Sequence, residues 1–172
     1  MKSVGFNRVI TAGIALLMAG VSATAASAAC EADAQTLINN LAGDGWRGAG
    51  TVQPFGGAKE RISCRVNYRA TGPRIAMQIS CAGTDYKIDA GADVTCEGQK
   101  VSGTWKEQIA HNTGRVQGSI RGKDLSLDVK GQNFTGRFKV KFIGDNRHTL
   151  TITQFDPSAG RQMPVATIAL RK

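Results

Sequence analysis

The sequence predicts an all-β protein: a small antiparallel up-and-down β-barrel of about 8–10 strands with one short N-terminal helix. Three observations carry this prediction. Beyond residue 45, apolar residues alternate with polar ones in run after run. Turn residues, as in Thr71-Gly72-Pro73 and Ala82-Gly83-Thr84, separate those runs at roughly ten-residue spacing. Glycine is abundant and proline scarce, 21 against 4, and Gly48, Gly50, Gly103, Gly118 and Gly136 fall inside the runs, which suits short, sharply coiled strands. So many strands must close on themselves or form a sandwich to protect their edges, and sequential hairpins favour the meander.

Residues 1–28 read as a cleaved secretory signal peptide. Lys2 and Arg8 precede an apolar run from Val9 to Val21, and Ala26-Ser27-Ala28 supplies the small residues a signal peptidase needs. The expected location is periplasmic or secreted, in a bacterium. No later apolar stretch approaches 18 residues, so no transmembrane helix is expected after cleavage.

Residues 29–45 read as an N-terminal helix and linker. Ala34, Leu37, Ile38 and Leu41 share one helical face, Glu31 and Asp33 suit the first turn, and Gly43-Asp44-Gly45 ends the helix. Residues 46–172 read as a single β-barrel domain. Ile62, Cys64, Val66 and Tyr68 alternate with polar residues, and Ile75, Met77, Ile79 and Cys81 do the same. Further inward sets are Tyr86 with Ile88 and Ala90, Val101 with Gly103, Trp105 and Ile109, Val116 with Gly118 and Ile120, and Leu125 with Leu127 and Val129. Phe134, Phe138, Val140 and Phe142 face inward while Arg137, Lys139 and Lys141 face out. Leu150 with Ile152, then Val165 to Leu170, complete the set.

The four cysteines, in an exported chain, read as two disulfides with three connectivities open. A zinc site would need close C-x-x-C pairs, and there are none. Cys64 and Cys81 lie on inward sets of two strands joined by one turn, so parity favours Cys64–Cys81 and leaves Cys30–Cys96 to tie the helix to the barrel. Ser27-Ala28-Ala29 lacks the large aliphatic residue found upstream of an acylated cysteine, so Cys30 is read as a disulfide partner.

Charge is uneven along the chain. Residues 29–99 carry a net charge of −1 and residues 100–172 a net charge of +8. A basic half suits an anionic lipid, glycan or protein partner, or it is a solvated face that keeps the protein in solution. Nucleic acid is not expected in an exported protein.

No G-x-S-x-G elbow, phosphate-binding loop, H-E-x-x-H or calcium-loop pattern occurs, so an enzyme is not expected, nor a cofactor or metal. His111 and His148 read as surface residues in turns. Glu107 has the parity of an inward acid, which costs several kcal/mol unless it is paired or lies at the barrel mouth. Arg171 is one candidate partner.

Gly103-Thr104-Trp105 resembles the Gly-x-Trp motif of the calycin barrels, the lipocalins and avidins. The resemblance implies a Trp that closes one barrel end with a late Arg or Lys packed over it, here Trp105 and Arg171. Trp46, at the first strand, has Asp44 where that motif has Gly. A looser resemblance, to small periplasmic metalloprotease inhibitors, implies that residues 29–45 could act as an inhibitory arm.

The expected function is non-catalytic binding of a small apolar or amphipathic ligand inside the barrel. Tyr68, Met77, Trp105, Phe138 and Phe142 would line the site, with Glu107 in reach. The rival is a basic surface of Arg115, Arg121, Arg137, Lys139 and Lys141 that binds anionic lipid, glycan or a protein, protease inhibition included.

Overall fold

The computed structural model describes residues 29–132 and 134–172; the expected leader lies outside the described residues. One helix, α1 (Ala32–Leu41), precedes ten strands. These are β1 (Gly43–Val52), β2 (Glu60–Thr71), β3 (Arg74–Ala82), β4 (Lys87–Glu97) and β5 (Lys100–Glu107). They continue as β6 (Thr113–Arg121), β7 (Asp124–Gly131), β8 (Thr135–Phe142), β9 (Arg147–Asp156) and β10 (Arg161–Arg171). Each strand pairs antiparallel with its sequence neighbours, and β1 pairs with β10, which closes the barrel. The up-and-down barrel read from the alternation is therefore the observed fold. Among the described residues no helix is long and apolar enough to cross a membrane.

The period-two pattern sets the inside and outside of the wall. On β2, Ile62, Cys64, Val66 and Tyr68 are buried while every residue between them is exposed. On β1, Trp46 and Val52 are buried, and Gly48 and Gly50 fill the inward positions between them. A Cβ on Gly48 would run into the Ala169 carbonyl, and one on Gly50 into the Thr167 carbonyl. Only glycine lets β1 coil this tightly against β10.

Both disulfides have the partners that parity favours. Cys64 and Cys81 are directly opposed on β2 and β3, with Cα atoms 4.1 Å apart. Cys30 is bonded to Cys96 on β4, and its backbone bridges Gly98. With its sulfur in a disulfide, Cys30 has no thiol to acylate.

Helix α1 closes one end of the barrel. Ala34, Leu37, Ile38 and Leu41 are buried, as their spacing predicts. Anchored by this face and by Cys30, residues 29–45 are a plug rather than a free arm. The chain turns from helix into strand at Gly43, where φ is +129°, a backbone conformation that side chains resist.

Candidate functional site

The two ends of the barrel are built differently. The end under α1 holds a sealed aromatic tier. Trp46 is fully buried, and its indole N–H donates to the Leu41 carbonyl at 2.8 Å. The Lys172 ammonium stands 5.5 Å from the Trp46 ring centroid and donates to the Ala42 carbonyl at 2.5 Å. It thus covers the indole and satisfies a carbonyl at the helix C-terminus in one placement. The closing pair is therefore Trp46 with Lys172, not Trp105 with Arg171. Arg171 is exposed because it alternates outward from buried Leu170.

His148 belongs to this tier, against the sequence reading. It is 1% exposed and packs against Trp46 at 4.3 Å and Phe142 at 5.4 Å between ring centroids. Its Nε2 lies 3.2 Å from the Tyr68 hydroxyl, while Nδ1 is buried without a partner. Burial lowers the His148 pKa to about 4 and raises that of the Tyr68 phenol. His148 shares inward parity with Leu150 and Ile152, and that signal could have placed it. His111 does sit in a turn, at positive φ, and is exposed.

The opposite end is open. Its rim is made by the loops between β1 and β2, β3 and β4, β5 and β6, β7 and β8, and β9 and β10. A cavity of about 420 Å³ opens there, lined by Phe55, Tyr86, Ile109, Trp105, Phe134 and Phe138 among others. Phe55, Tyr86 and Ile109 are exposed large apolar residues on its lip. Trp105 meets Phe134 at 5.5 Å and Phe134 meets Phe138 at 6.3 Å, a second aromatic tier. The Trp105 indole N–H donates to the Lys130 carbonyl at 3.3 Å, so one ring edge is fixed.

Glu107 lies in this mouth. Its carboxylate accepts from the backbone N–H groups of Ile109 and Ala110, both at 2.7 Å. Those amides, not Arg171, are the partners of the inward acid, and they fix the β5–β6 turn. Burial, and then the nearby Glu107 charge, raise the Tyr86 pKa. The polar lining of an otherwise apolar mouth includes Glu107, Lys87, Asn112 and Gln154.

Deeper in the barrel is a void of about 70 Å³, with Tyr68 and Met77 on its wall. Ala90, Trp105 and Phe138 line both this void and the mouth, so they form the neck between the two. The barrel centre is thus largely filled by side chains, and the roomy part is the mouth. Of the six expected ligand residues, Trp105, Phe138 and Glu107 meet at the mouth and Tyr68 and Met77 line the inner void. Phe142 is corrected: it sits under α1 against His148 and lines neither space. Tyr86 and Ile109, expected as inward strand residues, lie just outside β4 and β5 on the rim, and Phe55, in the β1–β2 loop, has no strand alternation to place it.

The expected basic surface is assembled in part. Arg121, Arg137, Lys139 and Lys141 line one outer concavity with Ser126 and Thr151. Arg115 is not among them; its register partner on β7 is Lys130, toward the mouth. The Arg137 guanidinium donates to Asp128 at 2.6 Å, and this hydrogen bond first, then the charge, raises its pKa.

No family model and no curated protein matches this chain. Solved structures do. Rv2717c from M. tuberculosis is similar at a TM-score of 0.62 and 11% identity, over 83% of this chain and 98% of its own. The S-type phycobiliprotein lyase CPES from Guillardia theta is similar at a TM-score of 0.55 and 9% identity, over 80% of this chain and 91% of its own. The likeness is one of fold. Both neighbours share the barrel architecture.

Proposed function

We propose that the protein binds a small apolar or amphipathic molecule at the open mouth of the barrel, without catalysis, in an oxidising compartment outside the cytoplasm. The observation that carries this reading is the neck. Trp105, Phe138 and Ala90 join a mouth of about 420 Å³ to the inner void, beneath a lip of exposed apolar residues. That volume lies in the range of small-molecule sites, and its lining is mostly apolar with a few polar groups, as such sites require. An apolar body would stack on Trp105 and Phe138, and a polar end would face Lys87, Tyr86 and Gln154. The sealed end under α1 leaves the mouth as the route in. A fold neighbour that is a phycobiliprotein lyase supports a barrel that receives a ligand. The two disulfides support the compartment.

The test uses the oxidised protein and the apolar dye N-phenyl-1-naphthylamine, with binding read as energy transfer from tryptophan. A Trp46→Phe variant, which leaves Trp105 as donor, is expected to retain transfer. Ala90→Leu, which fills the neck, is expected to weaken dye binding at least about tenfold with little change in stability. Dye binding that survives Ala90→Leu and Phe138→Ala unchanged would overturn the reading.

A further inference from the structure

Barrel closure builds a charge pattern that the linear sequence conceals. Residue for residue, Arg147 on β9 pairs with Arg171 on β10, Arg171 with Arg47 on β1, and Arg47 with Arg65 on β2. Four arginines therefore stand side by side on four consecutive strands, all on the outer face and all exposed. Neighbouring strands lie about 4.8 Å apart, so the row spans roughly 15 Å. No acid stands in it. The next row toward the mouth is Thr149, Ala169, Ala49 and Ser63, and the row after that is Thr151, Thr167, Thr51 and Arg61. Among the described residues, the sole ion pair is Arg137–Asp128, which lies off this row.

Like charges placed directly opposite on adjacent strands destabilise a sheet. The fold gains nothing visible from the row, which points to a partner. The excess is a property of one side of the barrel rather than of one half of the chain. Strands β8, β9, β10, β1 and β2 hold ten arginines and lysines against three acids, and β3 to β7 hold seven against six.

We propose that this row binds a flexible acidic polysaccharide that carries an anionic group on successive sugars. Shape supports it. The row crosses the strands and so wraps around a convex barrel, where a flexible chain can follow it and a flat bilayer touches only part of it. Chemistry supports it too. Guanidinium forks hold carboxylates and sulfates in two-point contacts. Apart from Arg61, the two rows toward the mouth are small residues, five of the eight hydroxylated, suited to sugar hydroxyls, and they contain no aromatic residue on which a nucleobase could stack.

The probe is polygalacturonate of defined length, with neutral dextran as control, measured by calorimetry at low and high salt. Binding to polygalacturonate is expected to weaken steeply with salt, and dextran is expected not to bind. The double variant Arg47→Ser/Arg171→Ser is expected to lose about tenfold or more in affinity. Arg74→Ser/Arg115→Ser, with the same charge change elsewhere on the barrel, is expected to stay within about twofold. The first variant is also expected to melt no lower than the parent, since it relieves repulsion. Equal losses in both variants would overturn the proposal, because binding would then follow net charge alone. Absence of polygalacturonate binding would also overturn it, as would tighter binding to vesicles of phosphatidylglycerol or to single-stranded DNA. Dye binding at the mouth is independent of these outcomes.

Discussion

Replacing His148 with phenylalanine is expected to flatten the pH dependence of stability between pH 4 and pH 6.5. An unfolded imidazole takes a proton near pH 6.5, whereas burial holds that of folded His148 off until about pH 4. Between these values the unfolded chain binds more protons, so stability rises with pH. The contribution is fully present above pH 6.5 and lost as pH falls to about 4. The gap converts to about 3 kcal/mol, with a slope approaching 1.4 kcal/mol per pH unit. Since the side chain is 1% exposed, solvent offers little screening. Phenylalanine keeps the packing on Trp46 and Phe142 but leaves the Tyr68 hydroxyl without its partner, at a cost of about 1–2 kcal/mol. The variant is therefore expected to be the weaker protein at pH 8 and the stronger one below about pH 5. Urea unfolding at several pH values, followed by tryptophan fluorescence, measures both curves. Surface carboxylates titrate in both proteins and cancel in the difference. Parallel curves, with a constant offset from pH 8 to 4.5, would refute the reasoning.

Other perturbations read other parts of the molecule. Removing Cys30–Cys96 releases a 66-residue loop and is expected to cost about 4 kcal/mol, against about 3 kcal/mol for the 17-residue Cys64–Cys81 loop; thermal melts of the Ser and Ala pairs give the order. Lys172→Met leaves the Trp46 face and the Ala42 carbonyl without their cation and is expected to cost about 1 kcal/mol in urea. Gly48→Ala drives a methyl group into the Ala169 carbonyl and is expected to lower stability by about 2–3 kcal/mol, with slower formation of the β1–β10 pairing by hydrogen exchange.

The alternation from Arg61 to Arg69 fixes two faces without reference to the rest of the chain, which is why the strands were legible. The same parity put Cys64 opposite Cys81 and made Cys30–Cys96 the remaining pair. His148 was misread because its neighbour Arg147 suggested a turn, while its inward parity is visible only by counting back from Leu150. The two tryptophans were exchanged for a related reason. A short motif favoured Trp105, but which tryptophan seals the barrel depends on which one the helix covers, and that is long-range. The mouth was legible through Trp105, Phe138 and Glu107 and through the inward parity of Tyr86, Ile109 and Phe134, but not through Phe55, since the β1–β2 loop carries no period. The arginine row was out of reach, because it arises where β10 meets β1 and joins residues from both ends of the chain.

That seam governs the order in which the molecule can assemble. The β2–β3 hairpin and its Cys64–Cys81 bond need only local chain, so they can form early. The seam needs β1 and β10 together, across more than a hundred intervening residues, and loop closure makes such contacts late. Until then two strand edges stay open to wrong partners. The chain therefore carries covalent insurance at the start of its fold and none at the finish, and the step most exposed to aggregation is the last one. Mutations at Gly48 or Gly50 should show first as lost yield of folded protein, before any measurable loss of binding.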